Sequence, residues 1–187
     1  MKLQISLIKD EKAKSELEAD INEMTSMLDS YVSFVKTESP EPIETIVINE
    51  LIGDIVKTVE KHGVELIIKE KNTIQTSGRQ IQLKRAFNNI IDNSQRYAKK
   101  IEIILYTNEK DCVIEFNDDG EGIPRDKYED VFKPFFTLDP SRNKLKGESG
   151  LGLTITRDII RSHGGDVKLS NSNLGGLQLK VLLPLWF

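Results

Sequence analysis

The segment from Asp118 to Leu153 is the feature that most constrains the fold, because it carries two glycine pairs separated by a polar stretch. The first pair is Gly120 and Gly122, and the second is Gly150 and Gly152. Glycine has no Cβ atom, so its backbone can adopt unusual dihedral angles and lie close to a flat ligand. The segment therefore predicts two turns whose backbone meets a bound molecule.

Each glycine pair adjoins a predicted regular element. The apolar run 112–116 predicts a strand that leads to Asp118, whose carboxylate can accept a hydrogen bond from a ligand amine. After the second pair, Leu151, Ile155 and Ile159 recur at helical spacing. Free backbone N–H groups gather at the start of a helix, so this position favours phosphate.

Residues 138–149, between the two pairs, are polar and predict a lid rather than a packed segment. The common nucleotide fingerprints are missing, because no Lys-Ser or Lys-Thr follows a glycine loop and no third glycine completes Gly-x-Gly-x-x-Gly. A glycine pair alone is also compatible with an ordinary surface turn. The function therefore has to be read from the surrounding residues.

Composition narrows the class of protein. A chain of 187 residues with 38% hydrophobic content can bury one core with a helical extension. The net charge of −4 and the scattered Lys and Arg argue against nucleic-acid binding. Two histidines and the single Cys112, interpreted as a small buried hydrophobe, provide no zinc-ligand spacing. Without an apolar run of membrane-spanning length or a signal peptide, we expect a cytoplasmic chain that does not contact a membrane.

The N-terminal part predicts a helix with a narrow apolar seam. Over residues 16–36 the apolar positions are spaced alternately four and three apart, which is a heptad pattern that requires partner helices; they are Leu17, Ile21, Met24, Leu28, Tyr31 and Val35. An amphipathic helix lying on its own domain is the alternative. Residues 39–42, Ser-Pro-Glu-Pro, end the helix and predict a domain boundary.

The remainder of the chain predicts one unit of mixed helices and strands. Strands are expected at 43–47, 64–69, 73–76, 101–107, 112–117, 167–169 and 177–183, and helices at 49–62, 80–98 and 151–162. Asn49 is predicted to cap the first of these helices and Gly63 to end it. The strands at 101–107 and 112–117 are expected to form a hairpin.

The helix at 80–98 carries a polar stripe. Asn89, Asn93 and Arg96 stand four and three residues apart and so share one face. An amide oxygen such as that of Asn93 can complete the octahedron of a Mg²⁺ ion held by phosphate oxygens. Arg96 could then meet a phosphate, with Tyr97 as a hydrogen-bonding neighbour. A solvated polar face is the alternative explanation.

Five short motifs in order decide between these alternatives. They are residues 89–93, 118–123, 132–136, 150–153 and the His-Gly-Gly of residues 163–165. Their order and spacing resemble the N, G1, F and G2 boxes and the His-Gly-Gly turn of two-component sensor histidine kinases. Within that family, residues 83–86 and 175–184 are most similar to the EnvZ-type osmosensor kinases.

The resemblance implies an α+β fold, a two-layer α/β sandwich of the Bergerat (GHKL ATPase) type preceded by a helical, coiled-coil-like segment. Residues 1–38 would be a remnant of the dimerisation and phosphotransfer hairpin, 39–42 a linker and 43–187 the catalytic ATP-binding domain. The parent kinase would be an inner-membrane homodimer, joined through the N-terminal helices, with this part on the cytoplasmic side.

The resemblance also implies roles for individual residues. Asp118 would accept the adenine amino group, Asn93 would bind Mg²⁺, and Asn89 stands where related enzymes carry a glutamate base, which makes it the candidate catalytic residue. The implied ATP-binding set is Asn93, Arg96, Tyr97, Asp118, Gly120, Gly122, Ile123, Ser149, Gly150, Leu151, Gly152 and Leu153. Phe132 and Phe135 would anchor the lid, and His163 would be structural.

Two departures from the family pattern stand out. Glu148 replaces a glycine that many members carry just before the second glycine pair. The phosphoacceptor histidine box is also absent, and His62 and His163 cannot replace it. We therefore expect a fragment of a longer kinase that transfers the γ-phosphoryl of ATP to a histidine on a separate hairpin, for relay to an aspartate of a response regulator.

Two rival functions remain open. The chain could be a non-catalytic, nucleotide-dependent interaction module, or an ATPase of the same superfamily, such as a chaperone or a mismatch-repair protein. Phosphate transfer to a supplied histidine hairpin separates the first rival from a kinase. Substantial ATP turnover without an acceptor would indicate the second.

Overall fold

The computed structural model describes Lys14, Leu17, Ile21, Thr25 and residues 41–59, 64–138 and 150–185. In chain order the elements are β1 Glu44–Val47, α1 Ile48–Val59, β2 Glu65–Glu70, β3 Gln75–Gly78, α2 Gln80–Tyr97, β4 Lys100–Thr107, β5 Asp111–Asp118, α3 Gly152–Ser162, β6 Asp166–Asn171 and β7 Leu177–Pro184. Two 3₁₀ turns, Arg125–Lys127 and Asp130–Phe132, lie between β5 and α3.

The strands form two sheets. The larger has the order β2-β4-β5-β7-β6, in which β2 and β4 are parallel and the other pairs are antiparallel. Strands β1 and β3 pair separately as a short antiparallel ribbon. The expected hairpin of β4 and β5 is confirmed, and Asn108 closes it because its Oδ1 accepts the N–H groups of Lys110 and Asp111.

One face of the larger sheet packs against the helices. Side chains alternate between the two faces of a strand, so Ile103 of β4, Phe116 of β5 and Val181 of β7 share the helical side and are almost fully buried. Phe87 of α2 packs on Phe116 with ring centroids 6.0 Å apart. This is a two-layer α+β arrangement, and it confirms the predicted fold class.

The opposite face of the sheet is covered by pairs of long polar side chains. Lys69 Nζ lies 2.6 Å from Glu102 Oε1, and Lys180 Nζ lies 2.9 Å from Glu115 Oε1. The hydroxyl of Tyr106 donates to the same Glu115 oxygen at 2.8 Å. The aliphatic parts of these side chains therefore shield the strands on the side without helices.

The N-terminus of α2 is held by groups from distant parts of the chain. The carboxylate of Glu41 accepts hydrogen bonds from the backbone N–H groups of Ile81 and Gln82. An acidic group at this position satisfies free N–H donors and complements the helix dipole. The imidazole of His163 accepts a third hydrogen bond, from Arg79 N–H to its Nε2 atom at 3.0 Å.

The His-Gly-Gly turn ends α3 and fixes the tautomer of His163. Gly164 has φ +74°, and Gly165 N–H donates to Ile160 O at 3.0 Å, as in a Schellman-type helix end. Because Nε2 of His163 accepts, its Nδ1 carries the proton and donates to Ile159 O at 2.7 Å. The ring is buried and neutral, which agrees with the structural role expected for it.

Two local predictions are wrong. Asn49 does not cap α1, because the helix already begins at Ile48; instead its Oδ1 accepts from Ile74 N–H at 2.7 Å and its Nδ2 donates to Asn72 O at 3.2 Å. The strand expected at 73–76 is β3, which lies at Gln75–Gly78 because its register is set by pairing with β1. The predicted end of α1 at His62 and Gly63 falls outside the described residues.

In the N-terminal part, the four described residues Lys14, Leu17, Ile21 and Thr25 all have helical backbone, and Thr25 Oγ1 donates to Ile21 O at 2.8 Å. The rest of the heptad seam lies outside the described residues, so the partner helices and the division at 38 and 43 stay predictions. Within the described ranges, we find no helix that combines the length and the apolar character needed to cross a membrane.

We predict that the pKa of His163 lies below its ordinary value of 6.5, because burial disfavours the charged imidazolium. The unfolded chain then binds more protons than the folded chain below about pH 6.5, so stability should fall as the pH drops through that value. An NMR titration of the His62→Gln variant, which keeps one imidazole, measures the pKa directly. A midpoint at or above 6.5 would contradict the buried neutral ring.

Candidate functional site

The carboxylate of Asp118 lies at the end of β5 and is almost completely buried, with 5% of the residue exposed. Its Oδ1 accepts the backbone N–H groups of Gly120 at 3.1 Å and Leu177 at 2.9 Å. Its Oδ2 accepts the hydroxyl of Ser94, on α2, at 3.3 Å. Asp118 therefore joins β5, α2 and the start of β7 through hydrogen bonds to a single carboxylate.

The glycines around Asp118 are needed for close backbone contacts. A Cβ atom at Gly176 would lie 2.2 Å from Asp118 Oδ1, and one at Gly120 would lie 3.0 Å from the carbonyl oxygen of Tyr97. Gly122 has φ +70°, a conformation that residues with a side chain rarely adopt. The structure thus brings the first glycine pair, Asp118 and the C-terminal end of α2 together; that they bind a nucleotide stays a prediction.

Helix α2 also carries the predicted polar stripe. Asn89 is half-buried and its Nδ2 donates to Gly152 O at 3.2 Å, which places it at the start of α3. Asn93 lies one turn further along the same face and is half-buried. Arg96 and Tyr97 are exposed in the last turn of the helix. With a rise of 1.5 Å per residue, the stripe from Asn89 to Arg96 covers about 10 Å.

The second glycine pair forms the beginning of α3. Gly150 has φ +63°, Gly152 is the first helical residue, and Leu151 at the N-cap position has no side chain that could cap the helix. Leu151 is buried and Leu153 packs on the core, so these two residues fix the turn and leave the backbone to meet a ligand. Ser149 of the predicted set lies outside the described residues.

The phenylalanine motif behaves differently at its two predicted anchors. Phe132 is buried, and Arg157 of α3 lies over its ring with the guanidinium carbon 4.5 Å from the centroid. Phe135 is 56% exposed and has φ 62°, although its N–H donates to Gly150 O at 3.0 Å. The ring of Phe132 is therefore part of the core, whereas the ring of Phe135 is exposed. Residues 139–149 of the expected lid lie outside the described residues, so anchoring of the lid by these two rings stays a prediction.

Two adjacent carboxyl groups at the site, those of Asp118 and Asp119, have different surroundings. Hydrogen bonds from the backbone N–H groups of Lys100 and Lys99 lower the pKa of the exposed Asp119. These bonds attach Asp119 to the start of β4. The carboxylate of Asp118 lies between Ser94 of α2 and the turn at Gly120. Of the two neighbouring acids, Asp118 is therefore the one placed to meet a ligand between α2 and the glycine turns.

Three contacts at the site were not predicted from the sequence. Ser94 donates to Asp118, and Gly176 and Leu177 donate their N–H groups to Asp118 O and Oδ1. A serine on the apolar stripe of α2, four residues after Ile90, was a detectable signal, since a buried hydroxyl requires a partner. Gly176 and Leu177 are almost sixty residues from Asp118, and nothing local in the sequence indicated that contact.

The donors and acceptors suit a ligand with an amino group at one end and phosphates at the other. Asp118 offers a buried acceptor, and the uncapped start of α3 offers N–H donors. Asn93 makes no hydrogen bond to another described residue, so its amide oxygen is available to a metal ion beside the phosphates. The residues present therefore fit a purine nucleotide with a bound Mg²⁺ ion.

Comparison with known proteins gives one matching family. Residues 78–186, more than half of the chain, match the family described as "Histidine kinase-, DNA gyrase B-, and HSP90-like ATPase". The sensor histidine kinase GtrS of Pseudomonas aeruginosa is 30% identical over 187 residues, which cover 98% of this chain and 38% of the relative. The sensor histidine kinase CpxA of Escherichia coli is 30% identical over 183 residues, with 94% of this chain and 40% of CpxA covered.

Solved structures share the fold. The mycobacterial sensor histidine kinase MprB superposes with a TM-score of 0.68 at 24% identity, covering 76% of this chain and 97% of that chain. The ATP-binding domain of PrrB from Mycobacterium tuberculosis gives a TM-score of 0.66 at 22% identity, covering 78% and 98%. The chain spans about two fifths of the length of the curated relatives it matches.

We predict that alanine affects stability at one glycine of the second pair and ligand binding at the other. Gly150→Ala should lower the free energy of unfolding by about 1–3 kcal/mol, since φ is +63° and the new Cβ would lie 2.8 Å from the Phe135 backbone. Gly152→Ala should leave stability almost unchanged, because the nearest atom, Asn89 Cβ, is 3.9 Å away. It should instead weaken triphosphate binding more than adenosine binding, by crowding the phosphate site.

Urea denaturation of the two variants measures the stabilities, and calorimetric titration measures the affinities. Gly53→Ala is the matched control: Gly53 lies inside α1 with no atom within 4 Å of the new Cβ, so this change should raise stability by about 0.5–1 kcal/mol. Equal losses of both ligands in Gly152→Ala would show general damage rather than a phosphate site.

Proposed function

The chain belongs to the histidine kinase-, DNA gyrase B-, and HSP90-like ATPases, and from this premise we propose that it binds ATP with Mg²⁺ and transfers the γ-phosphoryl group to a histidine outside the chain. The observation that carries the proposal is that helix α2 contacts both ends of the candidate site. Its residues bond both to the buried carboxylate of Asp118, through Ser94, and to the first residue of α3, through Asn89. One rigid helix thus sets the separation of the two ends of a nucleotide site.

At the first end, Asp118 accepts the exocyclic amino group of adenine. The backbone at Gly120, Gly122 and the neighbouring Ile123 lies beside the base. Without Cβ atoms, the two glycines can pack against Tyr97 O and Gly176, which lets this turn lie close to a flat ring. Ile123 is half-buried and packs on the core. A buried acceptor discriminates strongly between ligands with and without a hydrogen-bond donor at this position, because a ligand without the donor leaves the carboxylate unpaired.

At the second end, the N–H groups of residues 150–153 receive the phosphates; Ser149, which lies outside the described residues, is included in the proposed set on the family resemblance alone. The first turn of α3 has no side-chain cap, so its donors are available to an anion. Arg96 and Tyr97 are exposed at the end of α2, and on the family resemblance we assign them to the phosphates. Asn93 provides the protein ligand for Mg²⁺, which when bound neutralises the charge that develops on the phosphates.

In the transfer step, the protein acts mainly by holding ATP and the histidine in position, and less through reactive side chains of its own. Asn89 is the proposed catalytic residue: its Nδ2 is occupied by Gly152 O, so its Oδ1 remains to orient the entering imidazole. The carboxamide is not a strong base, in contrast to the glutamate of related enzymes. This suits a nucleophile such as a neutral imidazole, which can attack through an unprotonated nitrogen.

The proposal extends to the longer protein. Residues 43–187 would be the catalytic domain, residues 39–42 the linker and residues 1–38 part of a dimerisation hairpin, so that the parent is a homodimer. The parent would be anchored in the inner membrane with this part in the cytoplasm, and it would relay the phosphoryl group to a response regulator. An EnvZ-type osmosensor is the finer proposal; it rests on residues 83–86 and 175–184, while the relatives compared above include the sensor kinases GtrS and CpxA.

Binding of a non-hydrolysable ATP analogue should depend on Mg²⁺ and on Asn93. In calorimetric titrations, Asn93→Ala should reduce the affinity measured with Mg²⁺ at least tenfold, which is about 1.4 kcal/mol, and should leave the weaker Mg²⁺-free binding unchanged. The fold should be retained, as judged by circular dichroism. Asn88→Ala, one residue before Asn89 on the same helix, is the matched control and should bind like the wild type.

Unchanged affinity in Asn93→Ala would remove this residue from the metal site. Absence of binding by the wild type at millimolar analogue would reject nucleotide binding, and would favour an interaction module that works without nucleotide.

Phosphate transfer separates the kinase from its two rivals. With radiolabelled ATP, Mg²⁺ and a helical hairpin that carries the histidine box of a sensor kinase, we expect label on the hairpin that is lost in acid, as a phosphoramidate is. Without the hairpin, ATP turnover should be slow. Binding without transfer would indicate the interaction module, and rapid turnover without an acceptor would indicate an ATPase.

A further inference from the structure

The two oxygens of the Asp118 carboxylate are not equivalent. Oδ1 accepts two backbone N–H groups, from Gly120 and Leu177, and Gly176 packs directly against it. A carboxylate oxygen has about two lone-pair directions, so Oδ1 is fully used by the protein. Oδ2 is therefore the oxygen that remains for a ligand.

Among the described residues, Ser94 is the hydrogen-bond donor to Oδ2. The Ser94 Oγ to Asp118 Oδ2 distance is 3.3 Å, whereas a hydroxyl bound to a carboxylate typically lies about 2.5–2.7 Å away. One lone pair of Oδ2 is thus used weakly and the other not at all. Oδ2 can therefore still accept a hydrogen bond from a ligand, while the bond from Ser94 restrains the orientation of the carboxylate.

Ser94 is well placed to restrain the carboxylate. It is 5% exposed and sits on the buried stripe of α2, one residue after Asn93, so its position is fixed by the packing of the helix. The side chain of Asp118 turns about its own axis, and the two N–H bonds to Oδ1 alone leave the plane of the carboxylate free to pivot about that oxygen. The Ser94 hydroxyl at Oδ2 restricts that rotation.

On the basis of the proposed function, we propose that Ser94 is a positioning residue that aims Oδ2 of Asp118 at the 6-amino group of adenine. Ser94 thereby helps to select adenine over purines that lack this amino group. Because Ser94 and Asn93 are neighbours on α2, the base and the metal-bound phosphates are placed by adjacent residues of one rigid helix.

A role in positioning predicts an effect that depends on the ligand. With Mg²⁺, Ser94→Ala should bind the non-hydrolysable ATP analogue about fivefold or more weakly, because a hydrogen bond to a charged group is lost beside the amino group. The same variant should bind the corresponding purine riboside analogue, which lacks the 6-amino group, with less than a twofold change. Ser94→Thr keeps the hydroxyl and should recover most of the preference for adenine.

Calorimetric titration of both ligands against the wild type and the variants completes the test. Ser170→Ala is the matched control, since it removes another hydroxyl hydrogen bond, to Gln178 Oε1 at 2.7 Å, on the opposite face of the sheet. It should bind both ligands like the wild type.

The outcomes separate the two levels of the proposal. Equal losses of both analogues in Ser94→Ala, or no loss of either, would overturn the role of Ser94 while the wild type still binds the ATP analogue. A wild type that binds neither analogue would overturn the proposed function, and the role of Ser94 with it. The expected ligand-dependent loss cannot arise from a general destabilisation of the fold.

Discussion

The buried carboxylate of Asp118 is the interaction on which the arrangement of the site depends. Its hydrogen bonds reach Ser94 of α2, Gly120 of the following turn and Leu177 at the start of β7. A carboxylate in the protein interior is costly unless its oxygens are hydrogen-bonded, and each such bond contributes about 1.5–3 kcal/mol. The backbone donors and the hydroxyl therefore make burial of this charge possible, and at the same time they hold three segments from distant parts of the chain in register.

The local structure followed well from the sequence, because the relevant signals were short-range. Helix α2 was predicted from its apolar spacing and is found within one residue of the expected ends, and the hairpin of β4 and β5 follows from two alternating runs around Asn108. Asn49 misled the prediction, since an asparagine near a helix start has the right chemistry for a cap. Its side chain is engaged instead by the backbone at Asn72 and Ile74, a contact that only the folded chain provides.

The site was predictable in part for the same reason. The glycine turns and the stripe through Asn89 and Asn93 are visible in the sequence, whereas the partners of Asp118 from β7 come from residues almost sixty positions away. Phe135 shows a second limit of prediction from the sequence. An aromatic residue in an apolar cluster is expected to be buried, but the left-handed backbone that brings its N–H to Gly150 O turns the ring outward. The hydrogen bond to Gly150 O therefore constrains the backbone of Phe135, and the backbone conformation determines where its side chain lies.

Among the strands that the structure describes, β2 and β6 of the larger sheet each have one edge without a neighbouring strand. Such edges can recruit a strand of another molecule and start aggregation unless something discourages it. Here Lys69 and Glu70 are exposed on β2, and Lys168 is exposed on β6. A neighbouring chain that added to either edge would have to bring its own backbone up to these charged side chains and displace part of their hydration. Lys69, which helps to cover the outer face of the sheet, therefore also helps, together with Glu70 and Lys168, to keep the protein from polymerising through its own strands.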